Sequence, residues 1–162
     1  MRQATLERQQ MDAFARYWED LFEDFPEARR RAVELMGETV QKDLNERIQV
    51  SDLDHEAKGT VRSWQEVRLG SRGGYAAVTP KKGVASPRAG QKQHTWKGSP
   101  ITQKQVTRWL EKGHGTPRGK DGSRQGTGYV KGRLFYSWTK MKALEHARDA
   151  ANDLLESIAD GV

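Results

Sequence analysis

The most chemically versatile side chains in this sequence are its four histidines, at positions 55, 94, 114 and 146. They lie far apart, and no two have the short helical spacing of a metal site or an acid–base pair. Residues 115–120 approach a phosphate-binding loop, but Asp121 stands where the loop needs the Ser or Thr that holds magnesium. The sequence therefore predicts no enzyme activity, no cofactor and no metal.

The classes of protein that the composition excludes are those that depend on cysteine or on long apolar segments. The chain has no cysteine, which rules out disulfides, thiolate zinc sites and thiol nucleophiles. No apolar run approaches the roughly 20 residues of a membrane-spanning helix, and no secretory leader opens the chain. We therefore expect a protein of the cytosol, or one assembled from it, with no membrane partner.

Positive charge is concentrated in the middle of the chain. Residues 61–135 contain 16 Lys and Arg against 3 Asp and Glu, a net charge of +13. Residues 1–60 carry a net charge of −5, and residues 136–162 carry −2. A segment this basic indicates either a polyanionic partner or an acidic protein surface.

One alternative for this segment is a DNA-binding helix over 101–112. That stretch is polar and basic on one side and apolar on the other, like the recognition helix of a helix-turn-helix motif. The motif also needs a supporting helix about four residues upstream. Residues 80–98 are rich in Gly, Pro and Lys and do not supply one, so this function stays an alternative.

Apolar residues at three- and four-residue steps predict the helices that must position these charges. Residues 1–24 form an N-terminal amphipathic helix, and a second helix covers 27–48 because Pro26 suits a first helical turn. A short helix opens at Ser99-Pro100, and a long C-terminal helix covers 138–160. The apolar stripe of the N-terminal helix comprises Met11, Phe14, Ala15, Trp18, Leu21 and Phe22.

Alternating apolar and polar residues predict the strands. Residues 60–79 form a β-hairpin around a glycine-rich turn, and residues 129–135 form a third strand. The predicted fold is a single α+β domain over 25–162, in which this small antiparallel sheet packs against the helix at 27–48 and the C-terminal helix. Two basic, glycine-rich arms extend from it, at 80–100 and 113–128.

The five tryptophans divide into two groups. Trp18, Trp109 and Trp138 fall on apolar helical stripes, which predicts that they are buried in the core. Trp64 and Trp96 fall on a strand face and in a basic arm. Because aromatic residues are enriched in interface cores, we expect these two to make subunit contacts.

Three local sequences follow one another along the chain, and their order is the basis of a family resemblance. They are a helix over 32–48 followed by 59–63 (GTVRS), then 74–78 (GYAAV), then 108–116 (RWLEKGHGT). A basic loop, Leu134-Phe135 and the long C-terminal helix follow. In this order they resemble the tail-completion or neck proteins of tailed bacteriophages of the lambdoid siphophage type, over about residues 27–160.

The resemblance implies a structural virion protein without an active site. Such a protein forms a homo-oligomeric ring, a hexamer or dodecamer, at the head–tail junction, and is assembled in the host cytoplasm. Its partners are a head-side connector or adaptor protein and a tail terminator or tail tube protein. A second alternative is a head or tail morphogenesis factor that is absent from the mature particle.

The resemblance also gives the basic arms a target. A junction ring surrounds the DNA exit path, so the arms would contact phosphates without sequence preference, or dock on an acidic neighbouring ring. The candidate contacts are Lys81, Lys82, Arg88, Lys92, Lys97, Arg118, Lys120 and Arg124. The chain departs from the family in its helix at 1–22 and in its longer, more basic arm at 80–100.

Overall fold

The computed structural model describes residues 13, 16, 26–87, 90, 92–115 and 128–159, with side chains up to residue 157. These residues form four α-helices and three two-stranded antiparallel sheets, which confirms the predicted α+β class. The predicted N-terminal helix lies outside the described residues, apart from two helical positions, 13 and 16. Among the described residues, no helix combines the length and the apolar content that a bilayer crossing requires.

Two long helices form the frame of the fold and pack along each other. Helix α1 covers Pro26–Gln49 and the C-terminal helix, α4, covers Phe135–Ala159, so both predicted helices are confirmed. Ala32 and Ala151, each almost fully buried, lie at their contact. Small side chains there let the backbones approach closely. Ala28, Met36, Leu154 and Leu155 pack around this pair.

A second hydrophobic cluster joins the other elements to this frame. Leu44 and Ile48 of α1 contact Phe135, which is 1% exposed, at the start of α4. Full burial of a side chain of this kind contributes about 1.5–3 kcal/mol. Partly buried residues packed against the cluster come from the remaining elements; they include Leu53, Trp64, Val78, Leu110 and Tyr136.

Part of the predicted hairpin is helical. Helix α2 covers His55–Ser63, and the Asp54 carboxylate caps it by accepting a 2.8 Å hydrogen bond from the Ala57 N–H. Strand β1 therefore covers only Gln65–Leu69, and it pairs antiparallel with β2, Ala76–Pro80, in the expected order. The prediction of strand at 60–63 was wrong because the cap and the burial of Val61 favour a helix over the local alternation.

The prediction of one sheet that includes a strand at 129–135 was also wrong. Strand β6 is limited to Tyr129–Lys131 and pairs with β5, Gly113–Gly115, away from the hairpin. A third pair, β3 and β4, lies in the first basic arm, which the sequence predicts as a loop; these strands are Thr95–Trp96 and Ser99–Pro100.

Helix α3 covers Gln103–Lys112 and begins after the predicted Ser99-Pro100 start. Thr102 caps it through a reciprocal pair of hydrogen bonds with Gln105. The Gln105 N–H donates to the Thr102 hydroxyl at 3.2 Å, and the Thr102 N–H donates to the Gln105 side-chain oxygen at 2.8 Å. The arm returns onto this cap, since Gln103 donates to the Gly83 carbonyl and Ala85 donates to the Ile101 carbonyl.

Glu111 connects α3 to α4. Its buried carboxylate accepts hydrogen bonds from the backbone N–H groups of Tyr136 (2.9 Å) and Ser137 (3.0 Å), and from the Ser137 hydroxyl (2.7 Å). These N–H groups belong to the first turn of α4 and have no partner within the helix. The helix therefore starts at Phe135, three residues before the predicted start at 138.

Two glycines let the chain close this junction. A Cβ on Gly132 would lie 2.4 Å from the Glu111 carbonyl oxygen and 2.7 Å from the Gly113 nitrogen. Gly113 itself has φ +80°, a left-handed conformation that ends α3. Side chains at these positions would separate α3 from the start of α4.

A buried polar contact links the junction to the hairpin. Tyr136 donates its hydroxyl hydrogen bond to Gln65, whose amide nitrogen donates in turn to the Val61 carbonyl. Gln65 is 3% exposed, and its backbone carbonyl accepts a 2.7 Å hydrogen bond from the side-chain amide of Gln41 on α1. Burial raises the pKa of the Tyr136 phenol well above its usual range, and the nearby Glu111 carboxylate adds to this effect.

The stripe predicted for the C-terminal helix is only partly internal. Trp138, predicted as core, is 49% exposed, and Met141 is 74% exposed. Trp138 contacts the Arg47 guanidinium, 4.9 Å from the ring centroid, as a cation–π pair. Residues 151 to 155 supply the face that packs on α1 instead.

We expect Glu111→Ala to lower the free energy of unfolding by about 2–3 kcal/mol, because the first turn of α4 loses its charged acceptor. Urea denaturation followed by circular dichroism measures this change. Lys112→Ala, at an exposed neighbouring position, is the matched control and should shift stability by less than about 0.5 kcal/mol. Equal stability of the two variants would contradict a capping role for Glu111.

A second prediction concerns alkaline pH. Because the pKa of Tyr136 is raised on folding, the native state holds this proton more tightly than the unfolded chain. The contribution is complete below pH 10 and is lost as pH rises above it, at up to about 1.4 kcal/mol per pH unit. Unfolding measured from pH 9 to 11 should show a shallower loss in Tyr136→Phe than in the control Tyr75→Phe, which changes an exposed phenol.

Candidate functional site

An aromatic cleft lies between α3, the first basic arm and the junction of α2 with β1. Its volume is about 360 Å³. Trp64 and Trp109 form part of its walls, and the arm contributes Pro87 and His94. His114 of β5 and a few aliphatic side chains, among them Ile101, complete the lining. The cleft is mainly apolar and large enough to accept an aromatic side chain.

Aromatic contacts hold one wall of this cleft together. The Trp96 ring meets Trp109 edge-on, with centroids 5.7 Å apart and planes at 70°. On its other side Trp109 contacts the His114 ring, with centroids 5.6 Å apart and planes at 32°. The edge-on geometry is favourable for two ring quadrupoles. The arm is thereby attached to α3 through Trp96, which remains 52% exposed.

The outer face of α3 carries a row of positive charges. Lys104, Arg108 and Lys112 are spaced by four residues, so they lie along one side of the helix. All three are exposed, and no carboxylate among the described residues pairs with them. We call Lys104, Arg108 and Lys112 the cationic row. At 100° per residue, the centre of the row lies about 150° around the helix from the cleft-lining residues Val106, Trp109 and Leu110, so the row and the cleft occupy different faces of α3.

The acidic residues of the basic segment do not neutralise this face. Glu66 pairs with Arg68 on β1, and Glu111 is buried at the start of α4. The third acidic residue, Asp121, lies outside the described residues. The two carboxylates that the structure describes in this segment therefore have other partners, and neither forms an ion pair with the cationic row.

The predicted contact residues of the first arm fall into different environments. Lys82, Lys92 and Lys97 are exposed, and Lys97 has φ +49° in the turn between β3 and β4. Lys81 is also exposed, but its ammonium group donates a 2.8 Å hydrogen bond to the Ser63 carbonyl at the end of α2. Arg88, Arg118, Lys120 and Arg124 lie outside the described residues.

The two tryptophans predicted at subunit contacts lie at the same cleft. Trp64 lines it while packing against the second hydrophobic cluster, and Trp96 contacts the Trp109 wall. Sequence reasoning predicted a basic side for this helix but did not single out its three cations, and it assigned Trp109 to the core. The signal for the row was present, because three cations at four-residue spacing within a predicted helix share a face.

The geometry of a helix-turn-helix is absent from the described residues. Between Trp64 and Thr102 these residues form strands, a 3₁₀ turn and irregular backbone, and α2 ends some 40 residues before α3 begins. Without a helix packed directly upstream, α3 lacks the support that holds a recognition helix in the major groove. Its basic face is suited to contacts that do not read sequence.

His94 and His114 both line the cleft. In the described part of the chain, His, Asp and Glu side chains do not gather in threes or more around a point where a metal ion would fit. His146 of α4 contacts Asp43 of α1 through its Nδ1, at 2.7 Å. This pair links the two long helices.

Comparison of the chain with known protein families, with curated proteins and with solved structures finds no match. The functional argument therefore starts from the cleft, the cationic row and the distribution of charge along the chain.

Binding to duplex DNA of random sequence tests the cationic row. We expect weak, steeply salt-dependent binding that the triple variant Lys104→Glu, Arg108→Glu, Lys112→Glu reduces, since each lost phosphate contact flattens the slope of log K against log salt by about 0.9. The matched control reverses Lys42, Lys140 and Lys142, which are equally exposed on the long helices. Equal losses in both variants would show that only net charge matters.

Proposed function

We propose that this chain is a structural protein of a tailed-bacteriophage virion, a subunit of the ring that joins the head to the tail. In this proposal the ring contains six or twelve copies, as the resemblance implies. It lies between a head-side connector or adaptor and the tail terminator or tube. The chain carries out no catalysis there, and its role is to bind neighbouring subunits and partner proteins on several sides.

The observation that carries the proposal is the cationic row on α3. Its three cations are exposed in line and no described carboxylate pairs with them, which suits them to a polyanion or to an acidic protein surface. The surface lies on a helix that Glu111 attaches to the frame, so it is presented rigidly. Rigid presentation lowers the entropic cost of assembly.

A ring around a DNA channel gives these charges two kinds of target. Contacts with phosphates would be independent of sequence, as passage of an entire genome requires, and weak enough to let DNA move. Contacts with an acidic neighbouring ring would set the orientation of the subunit. Both targets fit a basic helix that is not part of a helix-turn-helix.

Reversal of exposed cations in the first arm tests this function directly. In a phage that encodes the chain, Lys82→Glu, Lys92→Glu, Lys97→Glu should leave the subunit folded and block joining. Electron microscopy of lysates should then show filled heads and separate tails, with a loss of plaques. Lys81 is left unchanged because its hydrogen bond to Ser63 contributes to α2.

The control phage carries the reversals at Lys42, Lys140 and Lys142 and should form complete particles. Mass spectrometry of purified wild-type particles separates a virion component from a morphogenesis factor, since only the former stays in the particle. Normal plaque yield from the arm variant, or absence of the chain from purified virions, would contradict the proposed function.

A further inference from the structure

The aromatic cleft combines flat apolar walls with a few polar side chains. Trp64 and Trp109 belong to its walls, and the polar side chains among its lining residues are those of Ser86, His94 and His114. The Nδ1 atom of His114 is buried and has no hydrogen-bond partner among the described residues. An aliphatic occupant would leave these polar groups unpaired. A planar ring with polar atoms on its edge matches both the walls and the polar groups.

The part of the chain that forms most of the cleft carries no negative charge. No Asp or Glu occurs between Glu66 and Glu111, and this stretch supplies the lining residues from 85 to 110. Both flanking carboxylates have partners of their own, Glu66 on Arg68 and Glu111 at the start of α4. The charges around the cleft therefore favour an occupant that is itself negatively charged.

Lys81 brings a positive charge to the Trp64 side of the cleft. Its ammonium group donates a 2.8 Å hydrogen bond to the Ser63 carbonyl, and its backbone N–H donates to the Trp64 carbonyl, also at 2.8 Å. These two bonds hold Lys81 against the residues that precede β1. Lys81 is exposed, and no carboxylate among the described residues forms an ion pair with it.

The β3–β4 pair adds a further aromatic ring and a further cation. Trp96 is 52% exposed, and its ring centroid lies 5.7 Å from that of Trp109 in the cleft wall. Lys97 follows it directly and is exposed in the turn. Another exposed cation, Lys92, precedes the lining residue His94 by two positions. The cleft and Trp96 thus offer neighbouring positions for two flat rings, with lysines beside both.

We propose that the aromatic cleft binds an unstacked base of single-stranded DNA. One base enters the cleft, its neighbour stacks on Trp96, and the phosphates of the strand contact Lys81, Lys92 and Lys97. A duplex does not offer the free base faces that this site requires. The inference rests on the proposed function only in the choice of DNA over RNA, because DNA passes through the junction ring.

The combination of rings and charges favours a nucleic acid over an aromatic side chain of a partner protein. A single Tyr or Phe would fill the cleft, but it is uncharged and would leave Trp96 and the lysines without a contact. A single strand repeats a base and a phosphate at every nucleotide. One ligand of this class therefore supplies the rings for the cleft and for Trp96 together with the negative charges for the lysines.

Binding of a fluorescently labelled strand of twelve thymidines to the full chain tests the proposal by fluorescence anisotropy. The comparison is a strand of the same length made of abasic sugars, which keeps the phosphates and lacks the bases. We expect the abasic strand to bind at least about fivefold more weakly, because base stacking on the aromatic rings is lost. Equal affinity of the chain for the two strands would overturn the proposal.

Two variants locate the bases. Ser86→Trp introduces a bulky ring at an exposed position that lines the cleft, and Trp96→Ala removes the second stacking position. Each should weaken binding of the thymidine strand at least about fivefold and leave binding of the abasic strand unchanged. Trp138→Ala is the matched control, because Trp138 is 49% exposed on α4 and does not line the cleft.

The control variant should bind both strands as the wild-type chain does, and circular dichroism verifies that each variant is folded. A preference for the thymidine strand that survives Ser86→Trp would place the bases outside the cleft and overturn the proposal. An equal loss in Trp138→Ala would overturn it as well.

The phosphate contacts are tested by reversing two of the lysines. Lys92→Glu with Lys97→Glu should weaken binding of the thymidine and abasic strands alike, since both strands carry the same phosphates. Lys140→Glu with Lys142→Glu makes the same change in net charge on α4 and should have a smaller effect. Equal effects of the two pairs would contradict phosphate binding at the cleft.

The outcomes for this site and for the proposed function are distinguishable. Equal binding of the two strands, with the chain present in purified virions, overturns the DNA site and leaves the junction role standing. A base preference in a chain that is absent from virions contradicts the junction role and leaves the site standing. Tighter binding of a strand of twelve uridines than of twelve deoxyuridines would overturn the choice of DNA.

Discussion

The carboxylate of Glu111 is buried where the first turn of α4 begins, and it accepts three hydrogen bonds from Tyr136 and Ser137. A buried charge is tolerated only when such donors surround it. The same N–H groups would otherwise be unpaired at the helix start. The buried carboxylate therefore depends on the N–H groups of α4, and these N–H groups depend on the carboxylate. Gly113 and Gly132 provide the close backbone approach that this contact requires.

This constraint orients the remaining elements. With α4 held at its start, Phe135 enters the cluster with Leu44 and Ile48, and the rest of the helix runs along α1. Helix α3 is fixed in rotation as well, because Thr107 and Glu111 face inward. Arg108 and Lys112 directly follow these two residues, and together with Lys104 they form the exposed side of the helix. One buried carboxylate thus determines where the exposed positive charges point.

This geometry determines how the basic segment of the chain is presented to its surroundings. The cations of the basic segment that lie on α3 are exposed on a helix that Glu111 attaches to the start of α4. These charges are therefore available for contact with a polyanion or with an acidic protein surface.

Periodicity in the sequence determined the long helices, the α+β class and the turn of the hairpin, because each depends on neighbours within a few residues. The strand predicted at 60–63, the third strand of the sheet and the start of α4 depended on contacts made elsewhere in the fold. Glu111 meets its partners 25 residues away, a distance at which local patterns carry no information. For the site, the sequence identified the basic segment and singled out Trp64 and Trp96, which lie at the cleft. Only tertiary packing, which buries Thr107 and Glu111, decided that the helix face carrying Lys104, Arg108 and Lys112 is exposed.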